Sequence, residues 1–292
     1  MNPIHKPNSY LLQTRYHETY AIANIVNNVL ADPFPYCRNL NDFYGDNQSV
    51  GFATPFPKFS AFHQFIEFVL RDYINEDVSA FDLDSSRKNF DLVKRFQKDN
   101  KFLLPINHGL SCHGLEHDSF EVWLQEHGKD LDSAQDDDVS DYYEDLYLTE
   151  AFDQYIFQTA QEVFFIMFLN RQTLLDFNEL IARNAIEPLL LDEVDSEYKK
   201  YFSGSGRLRR VKIPRWVKNA VFHRDRGHCV FCNKDVSGTL SLQNENNFDH
   251  MVPLSHGGIN DVTNIQLLCD KCNLAKSDGE ARTSATCERW YK

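Results

Sequence analysis

The chain has 292 residues, of which 42% are hydrophobic and 25% charged, with a formal net charge of −13. This is the composition of a globular protein long enough for about two domains, and it excludes a disordered polyelectrolyte. The segment Met1 to Tyr10 has two prolines and no apolar stretch, and the longest apolar run, Val163 to Leu169, is too short to span a bilayer, so a soluble, cytoplasmic protein is expected.

The charge is unevenly distributed. Residues 207–292 hold 14 Lys+Arg against 9 Asp+Glu, a balance of +5, while residues 1–206 hold 16 against 34, a balance of −18. Opposite signs in the two parts suggest that the C-terminal part meets nucleic acid and the N-terminal part does something else. Seven cysteines, an odd number in a chain without an export signal, fit a reducing compartment better than a disulfide framework.

In chain order, Ser9 is placed to cap a helix whose apolar face carries Tyr20, Ile22, Ile25, Val26, Val29 and Leu30, and Pro33 and Pro35 end it. Residues 36–58, with their prolines, glycines, Asn and Asp, read as loop or short extended pieces. Helices are expected over Ala61–Ile74 and around Arg87–Lys98, their phenylalanines serving as core. His108, Cys112, His113 and His117 lie close in sequence, but no carboxylate or second cysteine pair completes a metal pattern, so they are read as ordinary polar side chains.

Residues 130–145 carry eight acidic side chains and no basic one. They read as a solvated loop or a helix start, since carboxylates favour the first helical turn; the sharper alternative is an internal polyanion that restrains a basic surface elsewhere. The stretch 144–185 has the strongest helical periodicity and should form one or two long core helices. Ser203-Gly204-Ser205-Gly206 reads as a flexible joint. The expected division is therefore an acidic α-rich domain over 1–206, with a sensing, docking or regulatory role and a possible protein partner, and a second domain over 207–292.

After the joint, Arg207, Arg209, Arg210, Lys212, Arg215 and Lys218 place six cations in twelve residues with no acid, a pattern suited to phosphate contact. Pro214 suits the first turn of a helix through Trp216, Val217, Ala220, Val221 and Phe222. Cys229-x-x-Cys232 and Cys269-x-x-Cys272 are separated by 36 residues, the spacing of a closed four-thiolate structural zinc site.

The segments Arg224–Cys232, Phe248-Asp249-His250 through Gly257-Gly258, and Asn264 through Cys272-Asn273 to Ser277 closely resemble the HNH endonuclease family, in its variant with Asn at the third signature position. The resemblance spans about residues 209–280. It implies a ββα-metal fold with a hairpin carrying Asp249 and His250, a loop with Asn264, and a short helix opening near Asn273. The implied roles are His250 as general base, Asn264 as the residue holding its segment in register, and Asp249 and Asn273 as ligands of a catalytic metal. Two oxygen donors suit Mg²⁺, or Mn²⁺, and Ser277 stands where some members have a further metal-binding His. Arg209, Arg210, Arg215 and Lys276 are the expected DNA contacts. The implied function is metal-dependent hydrolysis of DNA phosphodiesters, leaving 5′-phosphate and 3′-hydroxyl ends, in a restriction or phage-defence setting. The alternative is a zinc-stapled nucleic-acid-binding module of a multi-protein system whose catalytic site is unused.

Overall fold

The computed structural model describes residues 9–45, 48–96, 101–186, 194–237 and 247–284. Its helices are α1 (Ser9–Ala31), α2 (Cys37–Tyr44), α3 (Gln48–Gly51), α4 (Ala61–Ser79), α5 (Leu83–Lys94), α6 (Pro105–Cys112), α7 (Phe120–Glu126), α8 (Asp136–Tyr147), α9 (Glu150–Met167), α10 (Arg171–Ile181), α11 (Ser196–Lys199), α12 (Arg215–Arg224) and α13 (Asp270–Lys276). Two strands, β1 (Phe248–His250) and β2 (Ile265–Leu267), pair antiparallel with Asp249 opposite Gln266. The expected mostly helical chain with a small ββα element near its C-terminus is what the structure shows. No helix among the described residues is long and apolar enough to cross a membrane.

The chain divides into two compact units, residues 1–24 with 67–163, and residues 25–66 with 164–292. In the first, Phe120, Leu124, Tyr142, Phe152 and Ile156 are buried. The acidic run lies here, and it is a turn followed by most of α8. Asp136, Asp137 and Asp138 occupy the first helical turn, where carboxylates complement the helix dipole. Asp138 accepts the Gln135 N–H and pairs with Lys129, Asp136 accepts the Leu83 N–H, and Asp145 accepts Trp123 Nε1–H. The neighbouring histidines are also locally bonded: His113 Nδ1 to Gly109 O and His117 Nδ1 to Leu115 O.

The periodic stretch 144–185 is broken twice rather than once. Thr149 Oγ1 accepts the Phe152 N–H at the start of α9, and Asn170 Oδ1 accepts the Gln172 and Thr173 N–H groups at the start of α10, so each break carries its own cap. The segment read as loop, 36–58, contains α2 and α3. Leu40 and Phe43, three apart on α2, are both buried, an apolar face too short to stand out among its polar neighbours.

In the second unit, Phe62, Phe65 and Phe177 form a buried aromatic cluster. A further core gathers Phe56, Val217, Val221, Phe248, Val262, Ile265, Leu267 and the cysteines Cys229 and Cys269, with Phe164 and Phe168 packed against it. The ββα element therefore shares its core with residues of the end of α9 and the segment before α4. The boundary expected near residue 206 lies inside this unit, and the expected flexible joint is a closed turn. Ser203 N–H donates to Arg207 O at 2.7 Å, Gly206 adopts φ 78° and Phe202 bridges Leu208.

Truncating Phe177 to Ala should remove the centre of the aromatic cluster, where its ring lies 4.9 Å from Phe62 and 5.4 Å from Phe65. A loss of ~3–5 kcal/mol is expected from the transfer and cavity terms together, measured as a lowered urea midpoint.

Candidate active site

The four cysteine sulfurs Cys229, Cys232, Cys269 and Cys272 all lie within 4.8 Å of one another, and Cys232 Sγ is 3.7 Å from Cys269 Sγ. Tetrahedral thiolate ligands at ~2.3 Å from zinc are separated by about 3.8 Å, so the cluster has the right size for the ion. The two knuckles are shaped by backbone bonds, Asn233 N–H to Cys229 O and Asn273 N–H to Cys269 O. Cys269 precedes α13 and Cys272 sits within it, while Val230 N–H donates to Leu267 O and so ties the first knuckle to β2. Among the described residues these four side chains form a group that could hold a metal ion. Cys37 and Cys112 are thiols outside this cluster, Cys37 Sγ donating to Pro33 O and Cys112 Sγ lying 3.7 Å from His108 Nε2, and Cys287 lies outside the described residues.

The short hairpin is braced by buried polar side chains. Asn264, fully buried, accepts the Val252 N–H through Oδ1 and donates through Nδ2 to Val252 O and Ile259 O. Both of its amide protons and one oxygen lone pair go into the loop that follows His250. On the other side, Asp225 receives Arg224 Nε and Nη2 at 2.8 and 3.0 Å, Arg171 Nη1 at 3.2 Å and the Leu267 N–H at 2.9 Å. The C-terminal end of α12 is thereby clamped to β2.

A cleft of about 620 Å³ is lined by Leu208, Arg210, Asp249, His250, Pro253, Leu254, Ser255, Asn273, Leu274, Ser277 and Asp278. Asp249, His250 and Asn273 thus converge on one cavity although they come from β1 and α13. His250 is buried, and burial, with Arg210 and Lys276 adding positive charge nearby, pushes its pKa down to about 3. His250 is therefore held neutral near pH 7, although a free imidazole titrates close to that pH. Its Nε2 faces Asn260 Oδ1 at 3.3 Å, and its Nδ1 is buried with no hydrogen-bond partner.

In sequence Asn260 is one polar loop residue among several, with nothing to mark it. Its Nδ2 donates to Arg209 O at 2.9 Å, which leaves Oδ1 to accept from the imidazole. That contact requires the Nε2–H tautomer and frees the Nδ1 lone pair as a base. Residues outside the ββα element hold this loop: Phe56 N–H donates to Asn260 O, Ala61 N–H donates to Asp261 Oδ2, and Asn178 Nδ2 donates to Thr263 Oγ1. Asp261 Oδ1 in turn accepts from the Thr263 N–H and hydroxyl.

The expected DNA contacts separate. Arg210 is exposed in the cleft and Arg215 is exposed at the start of α12. Arg209 is exposed but directs Nε to Phe202 O. Lys276 turns inward: its side chain is 3% exposed, and Nζ lies 2.9 Å from Asp249 Oδ2 and donates to His250 O at 2.7 Å. It is an internal cation beside the carboxylate rather than an outward phosphate contact. Lys218, in the basic run, is likewise buried.

The oxygen donors fit a divalent ion. Asp249 Oδ2 is buried without a hydrogen bond and already attracts an ammonium, and Asn273 lines the same cleft with an amide. Residues 229–279 match the family model described as HNH endonuclease, and the four-cysteine cluster fits a zinc-stapled HNH module. No curated protein and no solved structure matches the chain.

Two substitutions separate frame from site. Cys269→Ser should lose zinc, measured by metal analysis, and unfold the module, because a site of this kind supplies much of the folding energy of so small an element. Asn260→Ala should retain zinc and lower activity about 10- to 100-fold, the range for losing a partner that orients a functional imidazole. The distinguishing signature is in the ¹⁵N shifts of His250, which should move from a pure Nε2–H tautomer to a mixture.

Proposed function

We propose that this chain is a metal-dependent DNA endonuclease that hydrolyses phosphodiester bonds through Asp249, His250 and Asn273. The observation that carries the reading is the convergence of these three residues on one cleft, with the His250 Nδ1 lone pair unengaged. Zinc in the four-cysteine frame is structural. Asp249 and Asn273 would hold the catalytic Mg²⁺ or Mn²⁺, which when bound supplies charge stabilisation to the phosphorane and the departing 3′ oxygen.

His250 removes a proton from the attacking water through Nδ1, while Asn260 keeps Nε2–H in place. The water oxygen bonds to phosphorus, the P–O3′ bond breaks, and the departing 3′ oxygen takes a proton from solvent, so the ends are a 5′-phosphate and a 3′-hydroxyl. The negative scissile phosphate offsets the imidazolium that burial alone would disfavour. Arg210, exposed in the cleft, is the cation placed to meet a backbone phosphate, with Arg209 and Arg215 flanking it on the outside. A restriction or phage-defence role, with the acidic N-terminal part docking or sensing a partner, is the biological setting we assign to such a two-part chain.

The second reading, a zinc-stapled nucleic-acid-binding module, is favoured by one contact only: the Lys276 ammonium on Asp249 Oδ2, a position that a divalent ion would have to share or take. Purified full-length protein on supercoiled plasmid with Mg²⁺, Mn²⁺ or EDTA decides between the two. The nuclease nicks with metal and not with EDTA, whereas retardation without nicking under either metal rejects it.

His250→Ala should abolish nicking, by ~10²–10⁴-fold as for loss of a general base, while zinc content and plasmid retardation stay near wild type. Retention of most activity would remove His250 from the mechanism.

A further inference from the structure

The first compact unit encloses a cavity of about 80 Å³ that has no part in the nuclease reading. Its walls come from five helices: Glu18, Ala21 and Ile22 of α1, Tyr73, Ile74 and Asp77 of α4, Pro105 and Ile106 of α6, Tyr143 of α8 and Tyr155 of α9. None of these residues carries a positive charge, and two carry carboxylates. Glu18 Oε1 accepts the Tyr155 hydroxyl proton at 2.6 Å, while Oε2 is buried without a hydrogen-bond partner. The Tyr143 hydroxyl is bonded to the backbone of Ile106, and Tyr73, 41% exposed, stands at the rim.

The chemistry of this lining is one-sided. The Tyr155 hydroxyl proton is already spent on Glu18, while the Tyr143 oxygen accepts the Ile106 N–H, so what the wall offers a ligand is chiefly carboxylate acceptor capacity and aromatic ring surface. Carboxylate oxygens accept only. A ligand that answers such walls brings donors and positive charge, and aromatic rings add to the attraction for a cation. The apolar floor of Ala21, Ile22, Ile74, Pro105 and Ile106 suits the methylene stem of an alkyl cation better than a hydrated metal ion. A water needs roughly 10–15 Å³ of such space, so the cavity takes a group of only several heavy atoms.

We propose that this cavity is a binding site for a small organic cation, an alkylammonium or guanidinium group, held by Glu18 and Asp77 among Tyr73, Tyr143 and Tyr155. The same head group occurs on free amines and on Lys or Arg side chains of a protein. The site gives the N-terminal part of the chain a ligand of defined chemistry, and it stands independently of the nuclease reading.

The arrangement also has a stability signature. Burial raises the pKa of Glu18 against the opposing effects of the Tyr155 hydrogen bond and of His108, and it raises that of Asp77. A group so raised contributes stability that is lost as pH rises through its folded pKa, so at pH 7 an empty site holds Glu18 at a cost to the fold. A carboxylate present only to anchor Tyr155 would behave in the opposite way.

The test uses full-length protein and Glu18→Gln, with methylguanidinium and propylammonium chlorides as free cations and the N-acetyl, N-methylamide derivative of arginine as the side chain in peptide context. Isothermal titration at matched chloride should give saturable binding to wild type, with a Kd of about 1 mM or tighter for the better probe, and none to Glu18→Gln. Preference for the arginine derivative assigns a protein side chain; preference for the simple cations assigns a free amine. At pH 7 without ligand, Glu18→Gln should melt higher than wild type. Absence of saturable binding by all three probes, equal binding to both proteins, or a lower melting temperature for Glu18→Gln would each overturn the site.

Discussion

The candidate active site depends on keeping two three-residue strands in register. Three residue pairs make a ladder that is marginal in water, and a slip of one residue would send Asp249 and His250 to opposite faces from those they occupy. Register is imposed from outside the ladder. Asp225, clamped by Arg224 and Arg171, takes the Leu267 N–H at one end, and Asn264 ties down the loop leaving β1 at the other. The thiolate frame then fixes α13, and with it Asn273, relative to β2. Such buried polar groups are favourable only when their partners are all present, which is why they define one arrangement rather than several.

The same reasoning explains why the HNH-like segment is not a free-standing attachment. Its residues 260–263 receive hydrogen bonds from the backbone of Phe56 and Ala61 and from Asn178, and its core is completed by Phe56, Phe164 and Phe168. Asp261 is fully buried with two sets of donors, and removing the Ala61 side of that network would leave part of a buried carboxylate without its partner. Loop position sets Asn260, Asn260 sets the His250 tautomer, and so the chemistry of the cleft reaches back to residues far upstream in sequence.

What was legible in the sequence was the chemistry that sits at fixed spacing. The cysteine pairs announce a metal because their geometry is local, and Asp249-His250 with Asn264 and Asn273 carry the family likeness that residues 229–279 show. What was not legible depends on contacts. Nothing in the sequence separates Asn260 from other loop asparagines, since its role comes from Arg209 O fixing the amide. Lys276 reads as a surface cation until Asp249 is placed 2.9 Å away. The discontinuous units escape a reading along the chain because α1, α4 and α9 each contribute residues to both.

The charge asymmetry also changes meaning once partners are known. Of the acidic run, Asp130 bonds Ser133, Asp136 bonds the Leu83 N–H, Asp138 pairs with Lys129 and Asp145 bonds Trp123. Asp137 sits in the first turn of α8, where the dipole favours it, and Asp132, Asp141 and Glu144 are exposed to solvent, so helix start and hydration account for the rest of the run. At physiological salt a charge is felt over only ~8 Å, so a phosphate at the cleft, as proposed, would respond to the local lining rather than to the total of −13. That lining opposes Arg210 to Asp249 and Asp278. Lys276 already offsets Asp249 from inside, and on the proposed reading a divalent ion at Asp249 would make the cleft more positive and so favour entry of a phosphate.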